Sequence, residues 1–120
     1  MTNTEKNRLI EAFMGWELKW IKDYDLNQWC FVNKRIGKTE CGVYNESERP
    51  YCTDWNELMQ ALIFFANLEE FDKLDLSIHQ RKKWRQHCDD IDFAVTTYCI
   101  EEAVNALCEG IEWYNSLKND

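Results

Sequence analysis

Only four glycines and one proline interrupt this chain of 120 residues. These two residue types are the ones that most readily end helices and strands. A chain so poor in them is held to regular elements joined by short connections. It is also 45% hydrophobic and 14% aromatic, with six Trp, six Phe and five Tyr, which is the material of a packed core and not of a disordered segment. At this length the expectation is one domain covering residues 1–120.

The first element is signalled by Thr2 and Glu5 in capping-box spacing, then Leu9, Ile10, Phe13 and Met14 at helical spacing, with Gly15 as a stop. A Trp-rich segment with Trp16, Trp20, Tyr24 and Trp29 leads into two expected antiparallel strands, Gln28–Asn33 and Glu40–Tyr44, with a hairpin turn over 34–38. The polar loop Asn45–Pro50 separates this hairpin from a second helix. That helix is capped by Asp54, and Trp55, Leu58, Met59, Leu62, Ile63 and Ala66 form a wide stripe expected to lie across a sheet. From Leu74 the period becomes two. Leu74, Leu76 and Ile78, and later Ile91, Phe93 and Val95, read as strands flanking a turn and a short strand around Trp84–Cys88. A third helix is expected from Ile100 to Ser116, with Thr97 as its cap and Gly110 marking close approach to the sheet. The sum is an α+β fold, an antiparallel sheet packed with about three helices.

Six cysteines could form three disulfides in an exported protein. Residues 1–15 lack the basic leader, apolar run and small-residue cleavage site of a secretory signal. The longest apolar run, Ala61–Ala66, is far shorter than a membrane span. The expectation is a cytoplasmic protein without membrane attachment, in which Cys30, Cys41, Cys52, Cys88, Cys99 and Cys108 are reduced core or half-buried residues. Paired close ligands, the mark of structural zinc, do not occur: Cys30, Cys41 and Cys52 are widely spaced and only His87 and Cys88 are adjacent. Neighbours in a strand point to opposite faces, so this pair is not expected to act as a base and thiol. No metal site and no cofactor are expected. Glycine-rich phosphate loops, nucleophile elbows and zinc-protease patterns are missing, and the chain reads as a non-enzyme.

The net charge of −8 is unevenly placed. Residues 1–50 hold eight basic and eight acidic side chains, residues 51–120 six and fourteen. In the last 35 residues Lys118 alone opposes Asp89, Asp90, Asp92, Glu101, Glu102, Glu109, Glu112 and Asp120. Such a surface steers towards a basic partner and imitates the phosphate spacing of nucleic acid, so Asp89, Asp90, Asp92, Glu101, Glu102, Glu109 and Glu112 are the candidate partner-binding face. The opposite feature is Arg81, Lys82, Lys83, Trp84 and Arg85, read as a turn. Cations around an aromatic can grip phosphates and stack a base, and can equally meet the acidic face of another copy. The overall acidity argues against nucleic acid as the general ligand, leaving this turn as its one contact.

Three segments carry a resemblance: Leu9–Trp16 (LIEAFMGW), Asp54–Met59 (DWNELM) and Ile111–Asn115 (IEWYN). Together they resemble a family of small proteins of unassigned function in Bacteroidetes genomes and their phages and prophages, with AEFMG, DWxxLM and FIKWYN motifs in this order. The likeness spans nearly the whole chain, although Gly110 stands where an aromatic is common. It implies a mobile-element origin in a bacterial cytoplasm and transfers no catalytic residue. Periodicity alone explains Phe13, Met14, Trp55, Leu58, Met59, Ile111 and Tyr114 as core-face positions. The expected function is a small non-catalytic phage-type binding protein, an anti-defence (anti-CRISPR-like) inhibitor acting by protein occlusion through its acidic surface. The alternatives are a ligand- or nucleotide-sensing domain or enzyme with a pocket between helix and sheet, lined by Trp and Cys, and a homo-oligomeric accessory protein.

Overall fold

The computed structural model describes residues 1–22, 27–33, 35, 37–41, 49–68 and 76–118. The fold is α+β. The chain divides into two compact units, Met1–Arg49 and Pro50–Asp120.

In the first unit, helix α1 (Asn3–Met14) begins where the Thr2 hydroxyl accepts from the Glu5 amide at 3.2 Å. It ends at Gly15, whose φ of 88° is the left-handed conformation glycine adopts without strain. A side chain there would also meet Arg35 Cδ at 3.0 Å and Asn33 Oδ1 at 3.2 Å. The reversal leads straight into β1 (Trp16–Lys22), which pairs antiparallel with β2 (Asn27–Asn33), and β2 with β3 (Lys38–Cys41). Trp16 lies opposite Asn33 and Cys30 opposite Cys41. The expected hairpin is therefore present, with Arg35 and Gly37 in its turn, while the further extent 42–44 and the loop residues 45–48 lie outside the described residues. Strand β1 is an addition. Its signal stood in the sequence as Trp16, Leu18 and Trp20 alternating with Glu17 and Lys19.

Polar side chains join sheet to helix. Buried Asn33 donates from Nδ2 to the Met14 carbonyl (2.9 Å), and Arg35 donates to the Phe13 carbonyl (3.1 Å), meeting carbonyls that the end of α1 leaves without helical partners. The buried Arg49 guanidinium lies 4.0 Å above the Trp16 ring centroid and 2.7 Å from Glu40 Oε2.

The regular elements described in the second unit are all helices. Helix α2 (Trp55–Ala66) starts at Asp54, whose carboxylate accepts from the Asn56 and Glu57 amides. Helix α3 spans Ile78–Thr96 and α4 spans Ile100–Lys118, which makes four described helices where three were expected. The strands expected at Ile78, Trp84–Cys88 and Ile91–Val95 are all part of α3; Leu76 is in neither helix nor strand, and Leu74 lies outside the described residues. The helix has a full capping box: Ser77 Oγ accepts from the Gln80 amide (3.2 Å) and Gln80 Oε1 from the Ser77 amide (2.9 Å). His87, Ile91 and Ala94 face inward at helical spacing, whereas Phe93, the middle member of the supposed strand alternation, is 72% exposed.

Three further expectations are corrected here. Thr97 does not cap α4; its amide donates to Ala94 and closes α3. Within the second unit helix α2 packs on α4 and α3, and it buries Leu58, Ala61, Leu62 and Phe65 while Met59 and Ile63 of the expected stripe stay outside. Gly110 accordingly meets a helix: a Cβ there would sit 2.8 Å from Phe65 Cζ. In the turn between α3 and α4, Tyr98 takes φ 57° with its side chain 88% exposed. That conformation costs a non-glycine residue ~1–2 kcal/mol, and so exposed a ring has little burial to offset it.

Candidate protein-binding surface

Helix α4 buries Ala103, Val104, Leu107, Ile111 and Tyr114, and this inward stripe dictates what remains outside. Glu102, Glu109 and Glu112 fall on the outward face and Glu101 on its edge, all exposed. The Thr97 hydroxyl lies 3.0 Å from Glu102 Oε2 and 2.7 Å from the Ala94 carbonyl, so its single proton serves two acceptors and ties the carboxylate to the end of α3. Exposed Tyr98 is in the same turn.

The acidic residues of α3 do not all join this face. Asp89, Asp90 and Asp92 are exposed, but neighbours on a helix are rotated by about 100°. Asp90, like Glu109 of α4, acts electrostatically on His87, whereas Asp89 and Asp92 act on Cys88. Four of the seven carboxylates thus belong to α4 and three to α3, where Asp89 and Asp92 share one side of the helix and Asp90 is turned away from them.

The basic–aromatic segment is likewise redistributed. Arg81, Lys82, Lys83 and Arg85 are exposed, yet they occupy successive positions of α3 and not a turn. Trp84 is half-buried on the side that carries His87 and Ile91. The cations radiate outward while the ring turns inward, an arrangement unsuited to stacking a base between phosphate contacts.

His87 and Cys88 lie in a helix, so the strand argument against their cooperation does not apply. Chemistry still argues against it. Burial pushes the Cys88 thiol up to about 11, with Asp92 and Asp89 adding to the shift. Such a thiol is protonated near neutrality and a poor nucleophile. Buried His87 stacks at 5.4 Å against Trp113, and neither ring nitrogen has a hydrogen-bond partner among the described residues. Burial holds its pKa below the usual 6.5; Lys83 lowers it further, and Asp90 and Glu109 partly oppose the shift. The folded state thus favours neutral imidazole. Its contribution to stability is complete above pH 6.5, the unfolded value, and is lost as pH falls through the lower folded value. Unfolding free energy measured against pH should show a slope in that window which His87→Phe flattens. An unchanged slope in the variant would count against a buried neutral His87.

Among the described residues no group of three His, Cys, Asp or Glu could hold a metal ion, and no helix is long and apolar enough to cross a membrane. The five described cysteines, Cys30, Cys52, Cys88, Cys99 and Cys108, are thiols outside any disulfide. The side chain of Cys41 lies outside the described residues. Comparison with protein-family models, curated proteins and solved structures finds no match.

The outward orientation of Phe93 was hidden from sequence reasoning, which gave it a core place in a strand. Its signal was the Ser77–Gln80 capping pair upstream, which announces a helix and so puts Phe93 on a different face from Ile91.

Proposed function

We propose that this protein is a small non-catalytic binding protein of the phage or prophage type, which inhibits a basic host or defence-system protein in an anti-CRISPR-like manner by occluding it. The observation that carries this reading is the α4 face. Glu102, Glu109 and Glu112 project together with Glu101 at their edge, and exposed Tyr98 stands in the adjoining turn. Clustered carboxylates steer a cationic partner and discriminate against acidic ones, and an exposed tyrosine offers the rigid amphipathic anchor on which interfaces concentrate their affinity. The resemblance to phage-borne proteins supports the setting, and a bacterial cytoplasm is the compartment it implies.

The test is affinity capture from bacterial lysate followed by titration of the purified captured protein. Wild type should bind with a strong dependence on salt. The combined variant Glu102→Lys, Glu109→Lys and Glu112→Lys, checked for native helicity, should lose at least roughly tenfold in affinity, because each unfavourable charge juxtaposition costs on the order of 1 kcal/mol or more. Equal affinity of the variant and the wild type would overturn the acidic-face mechanism.

A further inference from the structure

We infer that the outer face of α3 is a self-complementary interface on which two copies of this chain pair antiparallel. Ile78, Lys82, Arg85, Asp89, Asp92 and Thr96 recur at alternating intervals of four and three residues, which places them on one stripe, and every one of them is exposed. The stripe is cationic in its first half and anionic in its second. Turned end for end about a two-fold axis at the level of residue 87, it matches itself. Lys82 faces Asp92 of the second copy, Arg85 faces Asp89, and the symmetry repeats both pairs. At each end Ile78 (77% exposed) opposes Thr96 of the second copy, with the exposed Phe93 (72%) of that copy about one turn away.

Two observations favour a use of this charge pattern between copies. Among the described residues none of Lys82, Arg85, Asp89 and Asp92 takes part in an ion pair. The polarity is also the reverse of what a helix favours for itself. Anions stabilise the first turn and cations the last, yet α3 has no acid in its first turn, no base in its last, and cations ahead of anions along its length. Against an antiparallel copy the same order becomes favourable, because each half meets the opposite charge and the two helix dipoles are opposed. A closed two-fold contact of this kind is isologous, so one surface serves both partners and assembly stops at two. The seam is polar at its centre and small, so the dimer is weak and labile to salt. None of Glu102, Glu109 and Glu112 is on this stripe, and the pairing does not depend on the proposed function.

Sedimentation equilibrium on the full chain at hundreds of micromolar tests the pairing. Wild type should dimerise at low ionic strength and dissociate as salt shortens the Debye length to a few ångströms. Lys82→Asp with Arg85→Asp makes the whole stripe acidic, and Asp89→Lys with Asp92→Lys makes it basic. Each double variant alone should lose at least roughly fourfold in association, since each of the four exposed pairs contributes a factor of about 1.4 to 5 and the factors multiply. An equimolar mixture of the two variants should recover a heterodimer. Circular dichroism confirms that both remain helical, and all four positions are exposed. A wild type that stays monomeric at low salt, a dimer indifferent to both variants, or a mixture that fails to associate would each overturn the interface. Glu102→Lys, Glu109→Lys and Glu112→Lys should leave dimerisation intact, which separates this result from the test of partner binding.

Discussion

Phe65→Ala is expected to destabilise the second unit by about 3–5 kcal/mol, the range for removing a fully enclosed phenylalanine, and to reverse the sign of a substitution at Gly110. Phe65 has no exposed surface, and the far end of its ring rests where a Gly110 Cβ would be, at 2.8 Å from Cζ and 3.2 Å from Cε2. Carbon atoms in contact prefer about 3.5–4.0 Å. Gly110→Ala therefore has two opposed effects: a gain of ~1 kcal/mol from helix propensity and a loss of ~1–3 kcal/mol from overpacking a ring that the core leaves little room to move. The loss should win in the wild-type background. With Phe65→Ala in place the obstruction is gone, the propensity gain remains, and Gly110→Ala should become stabilising. Urea unfolding of the four chains in this double-mutant cycle measures the reversal. If Gly110→Ala stabilised the wild type, close contact between α2 and α4 would not be the reason for glycine at this position.

In the first unit the largest effect is expected at Arg49. The guanidinium is stacked on Trp16 at 4.0 Å, approaches the Phe31 ring at 5.4 Å, and is paired with Glu40, although its side chain is only 7% exposed. A charge so enclosed depends on these partners for what water no longer supplies. Arg49→Met keeps much of the apolar stem and removes the charge; it should cost about 2–3 kcal/mol, the sum expected of a partly desolvated cation–π contact and a short ion pair. Glu40→Gln should cost under ~1 kcal/mol, because the Glu40 side chain is 49% exposed and water can replace the lost partner. Arg49→Lys should not restore stability, since a compact ammonium cannot lie flat on the indole. Chemical denaturation at low and high salt distinguishes the contributions. Stacking survives salt, whereas the ion pair to a half-exposed carboxylate weakens. A cost that vanished in high salt would show the ion pair alone to be responsible.

Much of the architecture was legible because its signals are local. Thr2, Gly15 and Asp54 act on amides and carbonyls within four residues of themselves, so α1 begins and ends, and α2 begins, where those residues imply. The hairpin of β2 and β3 was readable from the charged, glycine-containing turn between them. Helix α3 was misread for a definite reason. Ile91 and Val95 are four apart, which puts them on one face of a helix as well as on one face of a strand, so only the residue between them discriminates. Phe93 is apolar and seemed to complete a strand, yet it lies in solvent. Strand β1 is harder to read because tryptophan is bulky in any element, so only the alternation of Trp16, Leu18 and Trp20 with Glu17 and Lys19 marks it.

The candidate surface was legible to the same degree. The sequence shows that carboxylates crowd the C-terminal half, but it does not show which of them share a face. Glu109 and Asp90 are nineteen positions apart and both act on His87, while the adjacent Asp89 and Asp90 act on different groups. The basic segment at 81–85 also changed meaning once it lay in a helix, where its cations spread over the exposed sides and Trp84 turned inward.

By itself the sequence determined both ends of α1, the start of α2, the hairpin and the charge of each half, because capping bonds, backbone preferences and formal charges reach only across neighbouring residues. The tertiary structure alone decided which side of α3 faces inward, which ring occupies the space left by Gly110, and which acids stand together. Those outcomes depend on burial, and burial is a property of surfaces that meet from distant parts of the chain.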